Sequence, residues 1–196
     1  VLLTLDIEVV EAWTQVGDDI DAFVTDANLG YSVSMNADGT RMAVGAPKAA
    51  YSGNQGVGYL QVYQYDHEVT MKWQRMGPLD ILGSDKDENR GTMVSISGDG
   101  TRVASIGEAF LSYAVVKVHE WNSDSQTWTP MSGSFTTAFA ISMSRDGKRL
   151  AVVKYGNPGY DVIVFEVDSG GTWSQVGSKM NFAREGMSGT EGNALG

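Results

Sequence analysis

The chain carries the sequence GYSVSMNADGTRMAVGAP at Gly30–Pro47 and repeats it, with changes, as GTMVSISGDGTRVASIG at Gly91–Gly107 and FAISMSRDGKRLAVV at Phe139–Val153. Self-similarity over intervals of this length indicates a repeat architecture, in which one structural unit recurs along the chain. Three columns of equivalent residues define the alignment: Val33, Val94 and Ile141; Arg41, Arg102 and Arg149; Ala43, Ala104 and Ala151.

Each copy of this stretch predicts a β-hairpin. Two short runs of alternating apolar and polar residues flank an Asp-Gly pair, namely Asp38-Gly39, Asp99-Gly100 and Asp146-Gly147. An Asp-Gly pair between alternating runs is a strong hairpin signal, because glycine adopts a positive φ at little cost.

Two further strands are predicted in each unit. The third strands are Tyr59–Tyr65, Val115–Trp121 and Asp161–Val167, and neither face of these strands is wholly polar. The fourth strands start at the recurring tryptophans Trp13, Trp73, Trp128 and Trp173. Strands that are buried on both faces suit sheets stacked on other sheets. Four strands per unit are typical of the blade of a β-propeller.

The predicted fold is therefore all-β, with blades of four antiparallel strands, about three blades and a half blade, as part of a larger propeller. Residues 1–17 are expected to end a preceding blade, because Leu5–Trp13 aligns with the third strands. The blade repeats are then 18–77, 78–133 and 134–177, and 178–196 is expected to form the loop before a next blade. We expect either a longer parent protein or a partner chain that supplies the missing strands.

The composition bounds the choice of partners. The formal net charge is −10 at pH 7, which argues against nucleic acid or an anionic membrane surface as a partner, since both favour Lys and Arg. There is no cysteine, so neither a disulfide nor a thiolate nucleophile is available. No apolar run approaches membrane-spanning length. The compartment is left open by this sequence, which holds no N-glycosylation sequon and begins with acidic residues and no basic leader.

The repeats resemble the FG-GAP class of β-propeller repeats, which are similar to those of the integrin alpha-subunit head and of large bacterial and algal repeat proteins. The resemblance covers nearly the whole chain and is best at Gly30–Tyr65. It implies a propeller used for recognition or scaffolding, often at a cell surface or outside the cell. It also implies a calcium loop between the first two strands. Here each matching loop keeps one carboxylate, Asp38, Asp99 or Asp146, so we do not carry that metal site over.

A second calcium candidate is the run Asp85-Lys86-Asp87-Glu88-Asn89, echoed by Asp26-Ala27-Asn28. Alternating oxygen ligands are typical of the first half of a calcium loop. The alternative is a loop between blades whose Asx side chains cap their own backbone. We favour the capping loop, because neither a suitably placed glycine nor a terminal glutamate is evident, and we assign no metal ligands and no cofactor.

Candidate catalytic groups are few. His119 shares a column with Tyr63 and Phe165, which favours a packing residue with a satisfied ring, and His67 follows a third strand. Neither histidine has a serine or cysteine at a recognisable nucleophile elbow, and Gly186-Met187-Ser188-Gly189 lacks the fifth-position glycine. The column Glu11, Gln64, Glu120 and Glu166 suggests either acid-base chemistry or a solvated strand end, and we favour the strand end because it recurs.

Two other features admit a functional and a structural interpretation. Gly53–Gly58 resembles a phosphate-binding loop but precedes a strand instead of a helix, which favours a flexible connection. The recurring tryptophans are expected to pack between blades. Tyr51, Tyr155 and Tyr160 are expected in loops, where they either bind a ligand or are the isolated exposed aromatic residues of an ordinary protein surface.

Three functions follow as hypotheses. The first is a non-enzymatic interaction or scaffold module that contacts protein partners within a larger assembly. The second is a recognition propeller that binds glycan or depends on calcium. The third is a propeller hydrolase whose active site lies mostly outside this segment. The fold alone does not choose among them, because propellers host many functions.

Overall fold

The computed structural model describes residues 13–84, 86–107, 116–133, 135, 138–156 and 159–182. Within these ranges the regular structure consists of strands alone, and no helix there is long and apolar enough to cross a membrane. The strands are β1 (Ser32–Met35), β2 (Arg41–Ala46), β3 (Tyr59–Asp66), β4 (Lys72–Arg75), β5 (Ile81–Leu82), β6 (Met93–Ile96), β7 (Arg102–Ile106), β8 (Lys117–Asn122), β9 (Thr127–Pro130), β10 (Ser132–Gly133), β11 (Ala140–Met143), β12 (Arg149–Tyr155), β13 (Tyr160–Val167) and β14 (Thr172–Phe182).

These strands form three sheets that follow the repeats in order. Sheet 1 has the order β1-β2-β3-β4, sheet 2 the order β6-β7-β8-β9, and sheet 3 the order β11-β12-β13-β14. Neighbours along each of these orders are antiparallel. The predicted hairpins are confirmed, since β1–β2, β6–β7 and β11–β12 each turn around one Asp-Gly pair. The third strands and three of the four predicted fourth strands are confirmed as well.

The segment at Trp13 and the unit boundaries differ from the sequence prediction. Residues 13–17 form no strand, and Trp13 is fully exposed, so the fourth strand expected there is wrong within the described residues. Residues 1–12, with most of the predicted half blade, lie outside the described ranges. Strand β14 continues to Phe182, beyond the predicted end at 177, because it keeps pairing with β13 after a register shift.

Two short strands also cross the predicted boundaries. Strand β5 pairs with β3 of sheet 1, although the boundary at 78 assigned it to the second unit. Strand β10 pairs in parallel with β14 of sheet 3, although the boundary at 133 assigned it to that same second unit. The segments that connect the units therefore pair with a sheet themselves: β5 with sheet 1, which precedes it, and β10 with sheet 3, which follows it.

The hydrophobic core lies between successive sheets. Between sheets 1 and 2, Leu60 and Val62 of β3 pack in one cluster with Val94 and Ile96 of β6. Between sheets 2 and 3, the equivalent residues Val116 and Val118 pack in one cluster with Ile141 and other apolar residues of sheet 3. The core is therefore a series of stacked layers, which is why both faces of the third strands are apolar.

The recurring tryptophans join one unit to the next through their indole N–H groups. Trp73 donates to the carbonyl oxygen of Val16 at 3.0 Å, and Trp128 donates to that of Met76 at 3.2 Å. Each acceptor lies three residues after the tryptophan of the preceding unit. Trp173 is 2% exposed and confirms the expected packing, whereas Trp73 and Trp128 are half-buried and Trp13 does not pack at all.

Candidate interaction surface

The arginine column and the glutamate column meet across the second and third strands. Arg102 donates to Glu120 at 2.8 Å from Nε, and Arg149 donates to Glu166 at 3.1 Å. The register pairs Arg41 with Gln64 in sheet 1 in the same way. The glutamates of this column therefore lie at a strand end opposite arginine, which supports the structural interpretation over acid-base chemistry. Glu11 lies outside the described residues.

The carboxylates of the Asp-Gly turns form hydrogen bonds within their own turns. Asp38 accepts the backbone N–H of Thr40 at 2.9 Å, and Asp146 accepts that of Lys148 at 3.0 Å. Hydrogen bonds from the Thr40 and Ser144 hydroxyls lower the pKa of Asp38 and Asp146 respectively. Each turn presents one carboxylate already engaged with its own backbone, whereas calcium requires six or more oxygens.

The second calcium candidate forms a tight turn that occurs twice. Its positive φ values alternate along the backbone in both loops: Asp26, Asn28 and Gly30 in one, and Asp87, Asn89 and Gly91 in the other. Asp and Asn tolerate this conformation better than other non-glycine residues. The carboxylate of Glu88 pairs with Arg90 and lies 3.4 Å from the Lys117 ammonium. These contacts favour the capping loop, and Asp85 lies outside the described residues.

The glycine-rich loop Gly53–Gly58 is anchored to that same turn. Backbone N–H groups of Asn89 and Arg90 donate to the carbonyls of Gly56 and Val57 at 2.7 and 3.1 Å. The loop then enters strand β3, so it has no helix N-terminus for a phosphate. The loop is therefore a connection that is hydrogen-bonded to the next unit at Gly56 and Val57.

His119 is buried, as expected for a packing residue, but its ring is not satisfied. Its Nδ1 atom has no hydrogen-bond partner, which differs from the expectation of a satisfied ring. Burial, together with the positive charges of Arg90 and Lys117, lowers its pKa to about 4. His119 borders a cavity of about 180 Å³ that also contains Asp80. Asp80 pairs with Arg75 at 3.0 Å and accepts from Gln61 at 2.7 Å, so within this lining no free carboxylate orients the imidazole.

His67 lies in the turn after β3, beside a larger groove of about 600 Å³ between sheets 1 and 2. The groove is lined mainly by polar residues, among them Arg41, Gln64 and Asp66. Asp66 accepts three backbone N–H groups of its own turn, and these bonds and that from the Thr70 hydroxyl lower its pKa to about 2. Its carboxylate therefore stabilises the turn, and nothing in the groove lining singles out a reacting group.

The most distinctive exposed feature is a group of three aromatic rings in sheet 3, which we call the aromatic surface: Phe139, Tyr155 and Tyr160. The ring centroids of Phe139 lie 5.1 Å from those of Tyr155 and 5.3 Å from those of Tyr160, and the two tyrosine rings lie 5.8 Å apart. The three residues are nevertheless 40%, 78% and 39% exposed. Aromatic rings in mutual contact normally lie in cores or at interfaces.

The aromatic surface has a rigid support. Tyr155 ends β12 and Tyr160 begins β13, and the two residues are paired in register, so they lie at strand ends and not in the loops expected from the sequence. The next residue, Asp161, is buried and accepts hydrogen bonds from Lys179 and Asn181 of β14, each at 2.8 Å. The Lys179 ammonium and the Asn181 amide lower the pKa of Asp161, because both stabilise its charged carboxylate.

The aromatic surface belongs to the third unit alone. At the positions equivalent to Phe139 and Tyr155, the first unit has Tyr31 and Pro47 and the second has Thr92 and Glu108. Sequence reasoning selected both tyrosines but missed Phe139, which lies at the start of the repeated stretch. The signal available in the sequence was that Phe139 differs from Tyr31 and Thr92 at the equivalent positions. Tyr51 is 54% exposed and lies elsewhere, in the connection before β3.

Comparison with known proteins gives structural relatives only. No family model and no curated protein sequence matches the chain. A protein from Bacteroides fragilis described as a putative 6-phosphogluconolactonase matches with a TM-score of 0.54 and 15% identity, over 77% of this chain and 38% of that one. Sqt1 from Saccharomyces cerevisiae matches with a TM-score of 0.52 and 10% identity, over 82% of this chain and 37% of that one.

Another protein described as a putative 6-phosphogluconolactonase, from Bacteroides uniformis, matches with a TM-score of 0.50 and 17% identity, over 78% of this chain and 41% of that one. At these identities the likeness concerns the fold, and the chain spans about two fifths of each neighbour's length. The resemblance to FG-GAP repeats stays a prediction. Together with three stacked antiparallel sheets, the comparisons place this chain among the all-β proteins, as part of a β-propeller.

Proposed function

We propose that this chain is a non-enzymatic interaction module, which uses the aromatic surface of its third blade to bind a protein partner. The observation that carries the proposal is the exposure of three rings that already contact one another on a hydrogen-bonded sheet. Tyrosine and phenylalanine are enriched in protein interfaces, and rings held in place lose little conformational freedom on binding.

The polar features of the described residues support the same conclusion. The repeated carboxylates and arginines form turns and ion pairs within the sheets. Among the described residues, no cluster of three or more His, Asp or Glu side chains is arranged to hold a metal ion. The charged groups therefore stabilise the blades, whereas the three rings of the aromatic surface are exposed and in mutual contact.

A selection experiment tests this function. The chain is immobilised sparsely through one terminus, so that copies do not meet, and peptides are selected from a phage-displayed random library. We expect the selected peptides to bind at least about tenfold more weakly to Tyr155→Ala, because truncating a hot-spot tyrosine at the centre of an interface costs about 2 kcal/mol or more. Tyr51→Ala is the matched control, since Tyr51 is also exposed and lies in the connection before β3 of sheet 1.

Two results would contradict the proposal. Peptides that bind Tyr155→Ala as well as the unchanged chain would show that the aromatic surface is not the binding site. Glycans that bind the chain and compete with the peptides would favour the recognition propeller over the protein-binding module. Two of the structural neighbours are named as lactonases, so hydrolysis of 6-phosphogluconolactone by the chain would contradict its non-enzymatic character.

A further inference from the structure

Each unit of this chain contacts the next through two different faces. We call the face of a sheet that packs against the following sheet its trailing face, and the face that packs against the preceding sheet its leading face. The trailing face of sheet 1 presents Ala43, Leu60 and Val62, and the leading face of sheet 2 presents Val94 and Ile96 to it. All five residues are at most 6% exposed. The contact is therefore heterologous: it joins two unlike faces. Contacts of this kind repeat head to tail along a stack.

The junction between sheets 2 and 3 uses the equivalent residues. Ala104, Val116 and Val118 form the trailing face of sheet 2, and Ile141 of sheet 3 packs in the same cluster. All four residues are at most 9% exposed. The two junctions share one pattern, so any further junction of this kind would need the same apolar residues on a trailing face and on a leading face.

Hydrogen bonds between the sheets repeat with the same spacing. The backbone N–H of Ile96 donates to the hydroxyl of Ser34 at 3.1 Å, and the N–H of Met143 donates to the hydroxyl of Ser95 at 2.9 Å. These serines occupy one column of the repeat, and its next member is Ser142, which is exposed.

The arginine column makes a second repeated contact. Arg41 donates from Nη1 to the carbonyl oxygen of Gly100 at 3.3 Å, and Arg102 donates to that of Gly147 at 3.0 Å. Each arginine thus reaches the Asp-Gly turn of the following unit. Arg149 is the next member of this column, and its side chain is 62% exposed.

In the described part of the chain, the leading face of sheet 1 and the trailing face of sheet 3 carry the residues of such a junction but have no second sheet packed against them. Val33 and Met35, on the leading face of sheet 1, are 62% and 53% exposed, whereas their equivalents in sheet 2 are 6% exposed. On the trailing face of sheet 3, Ala151, Val162 and Val164 are half-buried, whereas the equivalent residues of the other sheets are almost fully buried.

The aromatic surface is continuous with this trailing face. Three cross-strand pairs follow one another at every second position: Ala151 with Val164, Val153 with Val162, and Tyr155 with Tyr160. Side chains at alternate positions of a strand lie on the same face of the sheet, so the pairs form one apolar strip that ends in the two tyrosines. Contiguous apolar patches that are left partly exposed mark interaction sites.

We propose that the trailing face of sheet 3 binds the leading face of sheet 1 in a second copy of this chain. The inference rests on the proposed function, since the aromatic surface lies on the same face. Ser142 then accepts the N–H of Met35 from the second copy, and Arg149 donates to its Gly39 carbonyl, as the equivalent residues do within the chain. Two such contacts, related by a two-fold axis, would join the two copies.

Charge substitutions on the two faces test the proposal by analytical ultracentrifugation. The unchanged chain is expected to sediment as a dimer, at twice its 21.1 kDa. Val33→Asp alters only the leading face, and Val164→Asp only the trailing face. Each is expected to weaken the dimer at least about tenfold, because a carboxylate would be buried against an apolar face. Val69→Asp is the matched control, since Val69 is 82% exposed in a turn away from both faces.

A mixture of the two variants separates this contact from other kinds of dimer. In the mixture, one of the two junctions joins an unaltered leading face to an unaltered trailing face, so dimers are expected to reappear. A symmetric contact between like faces would not recover on mixing. Far-UV circular dichroism confirms that each variant is folded.

Three results would overturn the proposal: a monomeric unchanged chain, a dimer that survives both substitutions, or variants that fail to recover on mixing. A monomer would show that these two faces do not bind each other across two copies of the chain. Peptides that still bind a monomeric chain at Tyr155 would leave the proposed function standing, so the two failures are distinguishable.

Discussion

Truncation of Leu60 tests directly whether the junctions between sheets hold the fold together. Leu60 lies in β3, is 0% exposed, and packs between sheets 1 and 2 with residues such as Val94. Leu60→Ala removes three buried carbons, each contributing about 0.8 kcal/mol. Strands β2, β5 and β6 surround the site and limit collapse, so a cavity of about 50 Å³ adds about 1 kcal/mol at about 24 cal/mol per Å³. We expect the free energy of unfolding to fall by about 3 to 4 kcal/mol.

Urea unfolding followed by tryptophan fluorescence measures this loss, since the chain contains five tryptophans. With an m-value of about 2 kcal/mol per M, the midpoint is expected to fall by about 1.5 to 2 M. Leu79→Ala is the matched control, because Leu79 is 76% exposed and its truncation should cost no more than about 0.5 kcal/mol. A loss below about 1 kcal/mol for Leu60→Ala, or equal losses for both variants, would refute the stacked-core reasoning.

Two further predictions concern the indole contacts and the buried histidine. Trp128→Phe removes the hydrogen bond to the Met76 carbonyl and is expected to cost about 1 kcal/mol of stability in urea unfolding, whereas Trp13→Phe should cost nothing measurable. Equal midpoints for the two variants would contradict the role of the indole N–H. The pKa of His119 is lowered to about 4, below the ordinary value of 6.5, so the unfolded chain binds more protons between these pH values. Stability is therefore expected to fall as the pH drops from about 6.5 to 4, and His119→Gln should flatten this part of the profile. An imidazole NMR resonance of His119 that titrates near pH 6.5 would contradict the prediction.

The repeated stretch was sufficient to predict the hairpins, because the Asp-Gly turn and the alternation of side chains are local properties. The tryptophan column was a weaker guide. Trp128 and Trp173 lie in strands that pair with the preceding strand of their unit, whereas Trp13 lies in no strand. Strand pairing is a tertiary contact, which a local pattern does not record. The end of β14 was missed for the same reason, since its extension to Phe182 depends on continued pairing with β13.

In the candidate site too, the sequence indicated some residues, and the contacts between them depend on the tertiary structure. Both tyrosines of the aromatic surface stood out in the sequence, but their pairing across β12 and β13 and their contact with Phe139 depend on the register of the sheet. The sequence of the Asp87-Asn89 turn allowed a metal loop but favoured a capped turn. Its positive φ values and the pairing of Glu88 with Arg90 favoured the turn.

The sequence by itself determined the repeat, the four-stranded unit and the acidic charge, because these follow from the order of residues and from short-range backbone preferences. The tertiary structure alone decided which faces of the sheets are covered. Equivalent residues such as Val33 and Val94 are alike in sequence, yet one is exposed and the other buried. Burial depends on whether a neighbouring sheet lies against the residue, and no local pattern records that.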